Sequence, residues 1–426
     1  MVTEAVVFFA LIFFGLATGI WVGLALIGAA LITLLLFTDV SPLALLAFDA
    51  WATLTTPELI ALPLFIWMGE ILFRSRLAGN LLEGITPLAS RVPGGLLHTN
   101  VLGCTMFAAV SGSSAATAAT VGRITLNELA ARGYDRSLSV GSLAGAGTLG
   151  FLIPPSIILI IYGVLSETSI IDLFLAGILP GVMLAGIYSA YIALRCLINP
   201  SLSAGTEEPA SFLAIFRGLI GTLPLLFLIG LVIGSMYLGI ASPIEASVLG
   251  VAGALLLALA GRDLSIKDLL GSLQGAVMTA SMIGLILVGA LLLSKTATFL
   301  EIPAGVGTLI HIWQPSPLAL VLTLTLFYLV LGCFLDGMST IMLTLPIVLP
   351  AVLGAGFDAV WFGVYLVLVI EMAQITPPIG FNLFVIQGLT GDKLADIARG
   401  AFPFFLLTGF MIALISIFPN LIQAFR

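Results

Sequence analysis

The chain has 426 residues, of which 60% are hydrophobic and only 8% are charged. Because a soluble domain carries about 25% charged residues, this composition excludes a protein whose surface faces water and indicates one embedded in a lipid bilayer. The net charge of −7 and the lack of a basic cluster in the sequence argue against nucleic-acid binding.

Apolar blocks follow one another along the chain, and a spanning helix needs about 20 apolar residues. The blocks lie near residues 4–17, 20–37, 55–73, 96–122, 138–163, 173–195, 218–238, 243–260, 273–293, 317–350, 358–388 and 401–421. Short connections between them exclude a large soluble catalytic domain, which needs about 50 residues or more. The first block is expected in the mature protein, since the start of the sequence lacks the positively charged region of a cleaved signal peptide.

Glycine and proline motifs recur along the chain at offsets of 220 to 225 residues and indicate an internal repeat. The pairs are Gly19 with Gly239, Gly69 with Gly289, Gly112 with Gly337, Pro154-Pro155 with Pro377-Pro378, and the Gly-x-x-Pro runs that begin at Gly177 and Gly400. Their order is the same in both halves. The shared order and offset of these pairs predict a first repeat at residues 1–198, a polar linker at 199–214 and a second repeat at 215–426.

The basic residues predict how the two repeats are oriented. If the blocks at 96–122 and 317–350 are re-entrant hairpins and the others cross the bilayer, 12 of the 14 basic residues fall on one side, as the positive-inside rule requires. Each repeat then has five crossings and one hairpin, and the odd number of crossings inverts one repeat relative to the other. The sequence therefore predicts an all-α polytopic membrane protein with the architecture of a secondary transporter.

Broken helices are the candidate sites, because non-helical backbone at membrane depth survives only where protein, water or an ion satisfies it. The hairpin tips at 111–117 and 336–340 each face a broken helix, predicted near 138–163 and 358–388. The proline pairs in these helices lack amide hydrogens, which frees carbonyl groups upstream to bind a hard cation. Polar side chains beside the breaks are favoured as site residues over a packing role: Ser111, Ser114, Thr148, Ser339, Thr340 and Thr376.

Four acidic residues have separate interpretations. Asp336 is either a ligand at membrane depth or the N-cap of the second hairpin helix, and both alternatives stay open. Glu245 is expected at a helix N-terminus, where the helix dipole favours a carboxylate. Glu70 and Glu371 are candidates for a proton relay, and the predicted spans give neither an intramembrane basic partner. The mixed composition of residues 75–91 and 296–313 predicts interfacial helices that act as arms of a mobile hairpin unit.

Three runs together resemble a known transporter family. They are Gly-Thr-Leu-Gly-Phe-Leu-Ile-Pro-Pro-Ser at 147–156, Gly-Ile-x-x-Pro-x-Glu-Ala at 239–246 and Ile-Thr-Pro-Pro-Ile-Gly-Phe-Asn-Leu-Phe at 375–384. Over essentially the whole chain, the sequence resembles the large membrane subunit of tripartite ATP-independent periplasmic (TRAP) transporters. The resemblance implies sodium-driven uptake of an organic acid, such as a C4-dicarboxylate or sialic acid, by an elevator mechanism. It also implies a bacterial inner membrane location, a small four-helix membrane subunit and a periplasmic substrate-binding protein.

The resemblance further implies two sodium sites and one substrate site. The first sodium site would use the tip residues Ser111 and Ser114 with the carbonyl groups of Gly150, Ile153 and Pro155. The second would use Gly337, Thr340, Ala373, Thr376 and Ile379. The substrate would lie between the two tips, with the candidate contacts Ser113, Thr148, Ser339, Asn382 and Asp336. Ala373 departs from the glycine common in the family, which would make a positive φ angle costly there.

A stand-alone proton- or sodium-coupled organic-anion antiporter is the alternative, with Glu70, Glu371 and Asp336 as carriers. A scaffold or a membrane enzyme is disfavoured, because the sequence contains no HExxH, no GxSxG and no clustered histidine or carboxylate constellation. ATP hydrolysis is excluded for this chain, since the sequence has no GxxxxGK[ST] phosphate loop.

Overall fold

A computed structural model describes residues 2–203, 211–261, 264–313, 315–333, 335–377 and 380–422. All regular elements in these ranges are helices, as the composition predicts. The α-helices are α1 Val2–Ala17, α2 Val22–Phe37, α3 Pro42–Leu54, α4 Ala61–Arg74, α5 Leu77–Ala89, α6 Leu97–Ser111, α7 Ser114–Ala131, α8 Arg136–Thr148, α9 Ile157–Ser166, α10 Ile170–Ile198, α11 Phe212–Tyr237, α12 Pro243–Ala260, α13 Ile266–Phe299, α14 Ile302–Trp313, α15 Pro317–Gly332, α16 Gly337–Gly354, α17 Ala359–Gln374, α18 Phe381–Thr390 and α19 Leu394–Ile417. Short 3₁₀ segments lie at Pro57–Ile60, Leu149–Phe151, Pro200–Leu202 and Pro419–Leu421.

Six helices in the described ranges are long and apolar enough to cross a bilayer, namely α10, α11, α12, α13, α16 and α19. A seventh span arises if α3 and the segment Pro57–Arg74, which are bent by 63° relative to each other, count as one. The remaining predicted crossings coincide with shorter apolar helices, among them α1 and α2 with 16 residues each. Residues 42–54 lay outside the predicted apolar blocks but form α3, whose buried Asp49 pairs with Lys295.

The helices are interrupted at the positions of the glycine and proline motifs. α6 ends at Ser111 and α7 begins at Ser114, with Gly112 between them at a φ of 57°. In the second half, α15 ends at Gly332 and α16 begins at Gly337. The helices predicted near 138–163 and 358–388 are divided into α8 and α9 and into α17 and α18. Of the second proline pair, Pro378 lies outside the described residues, as do positions 204–210 of the polar linker.

The two predicted arms are helical, with one change of boundary. α5 occupies most of the stretch 75–91, whereas the stretch 296–313 is shared between two elements. Residues 296–299 continue α13, which is 34 residues long, and only Ile302–Trp313 forms the separate helix α14. The apolar run of α13 continues past the polar positions that suggested an interfacial segment, so the second arm begins later than predicted.

The helices pack as two groups, and each group draws on both halves of the chain. In the scaffold group, α2 and α4 pack against α13, and α4 also packs against α12. α1 packs against α2, and α11 packs against α12. In the hairpin group, α8 packs against α19, α9 against α16, α7 against α18 and α10 against α17. α6 packs against α7 and α8 and belongs to the hairpin group. The groups meet where α5 contacts α11 and α6, where α14 contacts α13 and α16, and directly where α4 contacts α6 and α13 contacts α16. The inverted relation of the two repeats stays a prediction.

Close backbone contacts and polar pairs join the two halves within the hairpin group. A Cβ atom on Gly141 of α8 would overlap the carbonyl of Gly400 on α19, so glycine allows the two helices to approach. The hydroxyl groups of Tyr188 on α10 and Thr408 on α19 lie 2.7 Å apart. At the end of α8, an Arg136 nitrogen lies 2.9 Å from an Asp392 carboxylate oxygen.

An ion pair borders a cavity where the scaffold group faces the connection between α9 and α10. The Nζ atom of Lys295 on α13 pairs with Oδ1 of Asp49 on α3, whose side chain is only 2% exposed. The other carboxylate oxygen of Asp49 has no hydrogen-bond partner among the described residues. The cavity has a volume of about 620 Å³ and is also lined by Glu58 and Glu167. Its lining includes none of the predicted site residues.

Candidate functional site

The break after α8 leaves main-chain carbonyl groups without their helical partners. In a continuous helix, the amide of residue 154 would donate to the Gly150 carbonyl, but Pro154 has no amide hydrogen. Pro155 frees the Phe151 carbonyl in the same way, and the Ser156 hydroxyl donates to that oxygen instead. The described part of the chain supplies no hydrogen bond to the carbonyl oxygens of Gly150, Ile153 and Pro155.

The tip between α6 and α7 lies directly against this break. A Cβ atom on Gly112 would stand 2.9 Å from the Pro155 carbonyl oxygen, and one on Gly150 would stand 2.8 Å from the Ser113 carbonyl oxygen. The φ of 57° at Gly112 also disfavours any residue with a Cβ atom. The two glycines therefore let the tip and the break approach closely enough to share one set of oxygen atoms.

The three tip serines are held by hydrogen bonds. The Ser111 hydroxyl lies 2.7 Å from that of Thr117 and accepts the Ser113 amide at 3.3 Å. The Ser113 hydroxyl caps α7 by accepting an amide at 3.4 Å. Ser114 is fully buried, and its hydroxyl lies 2.9 Å from Oδ1 and 2.7 Å from Nδ2 of Asn382 on α18. Asn382 thus ties the first tip to the second broken helix.

The second tip is organised around a helix cap. Asp336 is the N-cap of α16, and one of its carboxylate oxygens accepts the amides of Met338 and Ser339 at 3.1 and 3.3 Å. The Ser339 hydroxyl donates to the other carboxylate oxygen. The Thr340 hydroxyl donates to the Asp336 carbonyl at 2.9 Å. Of the two alternatives for Asp336, the structure shows the cap.

The second break has fewer free carbonyl groups than the first. The carbonyl oxygens of Ala373 and Thr376 accept main-chain amides at 3.1 and 2.9 Å, and the Thr376 hydroxyl donates to the Met372 carbonyl at 2.7 Å. The end of α15 reaches this break, because a Cβ atom on Gly332 would overlap the Cβ atom of Ala373. Ile379, predicted as a ligand here, lies outside the described residues.

The predicted site residues therefore fall into two neighbouring sets. One set joins the first tip, the first break and the second broken helix: Ser111, Ser113, Ser114, Gly150, Ile153, Pro155 and Asn382. The other surrounds the second tip and the second break: Asp336, Gly337, Ser339, Thr340, Ala373 and Thr376. Thr148 belongs to neither, since its buried hydroxyl donates to the Gly145 carbonyl within α8 at 2.8 Å.

The N-termini of four half-helices meet in pairs at these sets. The first turns of α7 and α18 are joined by the bond between Ser114 and Asn382. The first turns of α16 and α9 are adjacent, since a Cβ atom on Gly337 would stand 3.2 Å from the side chain of Ile158. Amide groups and the positive dipole end make helix N-termini favourable for anions. The α16 amides already donate to the Asp336 carboxylate, so a further negatively charged group is favoured at the N-termini of α7 and α18.

The three remaining acidic residues, Glu245, Glu70 and Glu371, differ in their hydrogen-bond and ion-pair partners. Glu245 lies in the first turn of α12 and forms a capping box with Ser242, so the prediction of a helix N-terminus is confirmed. Glu70 pairs with Arg74 one turn later at 3.2 Å. Arg74 lies just beyond the predicted span 55–73, so the absence of an intramembrane basic partner for Glu70 stays a prediction. Glu371 is fully buried, and neither of its carboxylate oxygens has a hydrogen-bond partner in the described ranges.

Discontinuous helices whose tips and breaks meet inside a helical membrane protein are typical of secondary transporters. The family model described as "Tripartite ATP-independent periplasmic transporter, DctM component" matches residues 8–421. The chain therefore belongs to this family and is the large membrane subunit of a TRAP transporter, which confirms the resemblance noted in its motifs. Members of this family are transporter permeases rather than enzymes.

Relatives with different named substrates are similar to the chain over nearly its whole length. The ectoine/5-hydroxyectoine TRAP transporter large permease protein UehC of Ruegeria pomeroyi is 31% identical over 398 residues, covering 92% of each chain. The C4-dicarboxylate TRAP transporter large permease protein DctM of Pseudomonas aeruginosa is 30% identical and covers 91% of this chain and 90% of its own. Among solved structures, the YdaH transporter of Alcanivorax borkumensis aligns with a TM-score of 0.63 at 13% identity, over 88% of this chain and 87% of its own. That likeness concerns the fold alone.

Proposed function

We propose that the chain is the membrane-transporting subunit of a sodium-coupled importer of organic acids. The observation that carries the proposal is the set of carbonyl oxygens at Gly150, Ile153 and Pro155, which lie beside the first tip and accept no hydrogen bond from the described residues. Unwound backbone carbonyl groups are the ligands that coupling sodium ions use in transporters with broken helices. The hydroxyl of Ser111 and the neighbouring Ser114 complete a neutral oxygen-rich pocket, which suits a hard cation.

A second sodium ion is proposed at Gly337, Thr340, Ala373, Thr376 and Ile379. Its described carbonyl groups are already bonded within the chain, but each carbonyl oxygen has a second lone pair. Sodium binding therefore requires less rearrangement at the first break than at the second. We expect the first site to bind sodium more tightly.

The substrate is proposed to lie between the tips, where the paired helix N-termini favour a carboxylate. Ser113 and Asp336 border this region and are partly exposed, whereas Asn382 and Ser339 are buried. Relatives named for ectoine compounds and for C4-dicarboxylates are almost equally similar to the chain. The proposal is therefore the class of organic acids, with a C4-dicarboxylate or sialic acid as candidates.

Transport is proposed to occur by an elevator movement of the hairpin group against the scaffold group. The arrangement of α5 and α14, each of which contacts both groups, supports this division. The assembly would include a small four-helix membrane subunit and a periplasmic substrate-binding protein in the bacterial inner membrane. The antiporter alternative has less support, because Asp336 caps a helix and Glu70 is paired with Arg74.

Uptake into proteoliposomes tests the proposal. Radiolabelled dicarboxylates and sialic acid are supplied with or without a sodium gradient, and the small subunit and binding protein are added one at a time. We expect uptake only with the gradient and both partners. Proton-driven uptake by this chain alone, with no response to sodium, would contradict the proposal.

A proline variant tests the first sodium site separately. Pro154→Ala restores an amide hydrogen for the Gly150 carbonyl and should weaken apparent sodium affinity about tenfold, equivalent to about 1.4 kcal/mol. Pro224→Ala, at a proline inside α11 of the scaffold group, is the matched control and should leave sodium affinity unchanged. Ser111→Ala provides a second test if the proline variant folds poorly. Normal sodium affinity in both site variants would exclude this set of ligands.

A further inference from the structure

We propose that the cavity between α3, α13 and the connection of α9 to α10 is a binding site for a small organic cation with N–H donors, such as an ammonium or guanidinium group. The cavity has a volume of about 620 Å³, within the range of roughly 300–1,000 Å³ that is usual for small-molecule sites. Its described lining includes none of the residues proposed to hold sodium or the transported substrate. The inference therefore goes beyond the proposed function and does not depend on it.

A buried carboxylate oxygen on α3 indicates a missing hydrogen-bond donor. Asp49 lines the cavity with its side chain only 2% exposed, and Lys295 pairs with its Oδ1 atom. The Oδ2 atom accepts no hydrogen bond from the described residues. The buried side chain of Thr53 lines the cavity one turn later on the same helix. Because a buried acceptor without a donor is unfavourable, a ligand that brings an N–H group to Asp49 would be stabilised here.

The charge of the lining also favours a cation. Glu58 precedes α4 and Glu167 follows α9, and their exposed side chains form no ion pair in the described ranges. Together with Asp49 and Lys295, they give the lining three acidic side chains and one basic side chain, a net charge of −2. A cleft with this charge attracts cations and disfavours small anions. The ligand is therefore opposite in charge to an organic acid.

A metal ion or a lipid fits the cavity less well than an organic cation. The part of the chain that the structure describes contains no group of three or more histidine, cysteine, aspartate or glutamate side chains able to hold a metal. A lipid is expected on the apolar face of α3, where Phe48, Trp51 and Leu54 are more than half exposed. In a helix of 3.6 residues per turn, these side chains point about 100° or more away from those of Asp49 and Thr53. The cavity thus faces away from the apolar side of α3, which favours a water-soluble ligand.

The walls of the cavity come from both helix groups. α3 packs against α13 of the scaffold group, and these two helices supply Asp49, Thr53 and Lys295. The hairpin group supplies Gly163 and residues 167–171, where α9 connects to α10. A ligand that contacts both walls binds only while they face each other, so it stabilises this arrangement over any in which they separate. An organic cation bound here therefore opposes relative movement of the two groups.

Equilibrium binding of radiolabelled 1,4-diaminobutane to the purified full chain tests the site. This probe has two primary ammonium groups, which match the net charge of the lining. We expect saturable binding that ethylguanidinium displaces. Tetramethylammonium is a cation without N–H donors and should displace the probe at least about tenfold less well, because it cannot form charge-assisted hydrogen bonds.

Variants identify the acids that hold the probe. Asp49→Asn should weaken binding about tenfold or more, since it removes the charge of the acceptor. Glu58→Gln changes an exposed position, provides a second test if the first variant folds poorly, and should weaken binding about two- to fivefold. Asp268→Asn removes a capping carboxylate at the other end of α13 and is the matched control, which should leave binding unchanged.

Hydrogen exchange tests the contact with both groups. Saturating 1,4-diaminobutane should slow exchange in α3 and in the connection of α9 to α10 together. Slower exchange in only one of these segments would contradict a site that the two groups share.

Three results would overturn the proposal outright. They are the absence of saturable binding, equal displacement by tetramethylammonium, and unchanged binding in both Asp49→Asn and Glu58→Gln. Slower exchange of the two segments with the periplasmic binding protein but not with the probe would also overturn it and identify a protein docking surface. None of these measurements needs a transported substrate or a sodium gradient. Failure of this site is therefore distinguishable from failure of sodium-driven uptake.

Discussion

Replacing Gly112 with alanine measures how closely the first tip must approach the first break. The φ of 57° imposes a conformational cost of roughly 1–2 kcal/mol on alanine. The new Cβ atom would also stand 2.9 Å from the carbonyl oxygen of Pro155, and such overpacking costs about 1–3 kcal/mol more. Gly133 is the matched control, since its φ is 79° but a Cβ atom there would meet nothing within 4 Å.

The difference between the two variants isolates the contact from the backbone conformation. If the extra 1–3 kcal/mol falls on the sodium-bound arrangement, Gly112→Ala should raise the half-saturating sodium concentration about 5- to 150-fold relative to Gly133→Ala. Sodium-dependent thermal stabilisation of the purified full chain measures this directly, and stability without sodium shows whether each variant folds. The same sodium dependence in both variants would refute the reasoning that tip and break form one site.

Two further changes test the packing away from the breaks. Lys295→Met should lower thermal stability by up to about 3–5 kcal/mol, because it leaves the carboxylate of Asp49, which is only 2% exposed, without its partner. Adding Asp49→Asn should recover most of that loss, and no recovery would argue against the pair. Gly141→Ala should reduce the free energy of unfolding by about 1–3 kcal/mol through overlap with the Gly400 carbonyl. Gly28→Ala, where a Cβ atom meets nothing, should instead add about 0.5–1 kcal/mol, and equal effects in calorimetry would contradict the close contact.

Apolar length and proline or glycine interruptions predicted most helix positions, because both act on the local backbone. α12, for example, occupies Pro243–Ala260, the same residues as the predicted block. The prediction missed α3, because this helix depends on a contact that is not local. Its buried Asp49 is compensated by Lys295, which lies 246 residues away in sequence, so local hydropathy contains no sign of the pair.

The main-chain part of the candidate site was also predictable, since a proline at position 154 necessarily removes the partner of the Gly150 carbonyl. The behaviour of individual hydroxyl groups was not. Thr148 and Thr376 bond carbonyl groups of their own helices, whereas Ser114 reaches Asn382 on a helix from the other half. Serine and threonine have both options at every break, and only the packing between helices decides which one is used.

The mixing of both halves within each helix group has a consequence for how the protein is made. α8 presents Gly141 and Gly145 to α19, where a Cβ atom would meet the Gly400 carbonyl and Phe404 respectively. During synthesis, α8 emerges more than 250 residues before α19, and its small-residue face has no final neighbour until α19 has been inserted. Packing of α8 is therefore complete only after α19 has been inserted, and loss of α19 would leave the small-residue face of α8 uncovered.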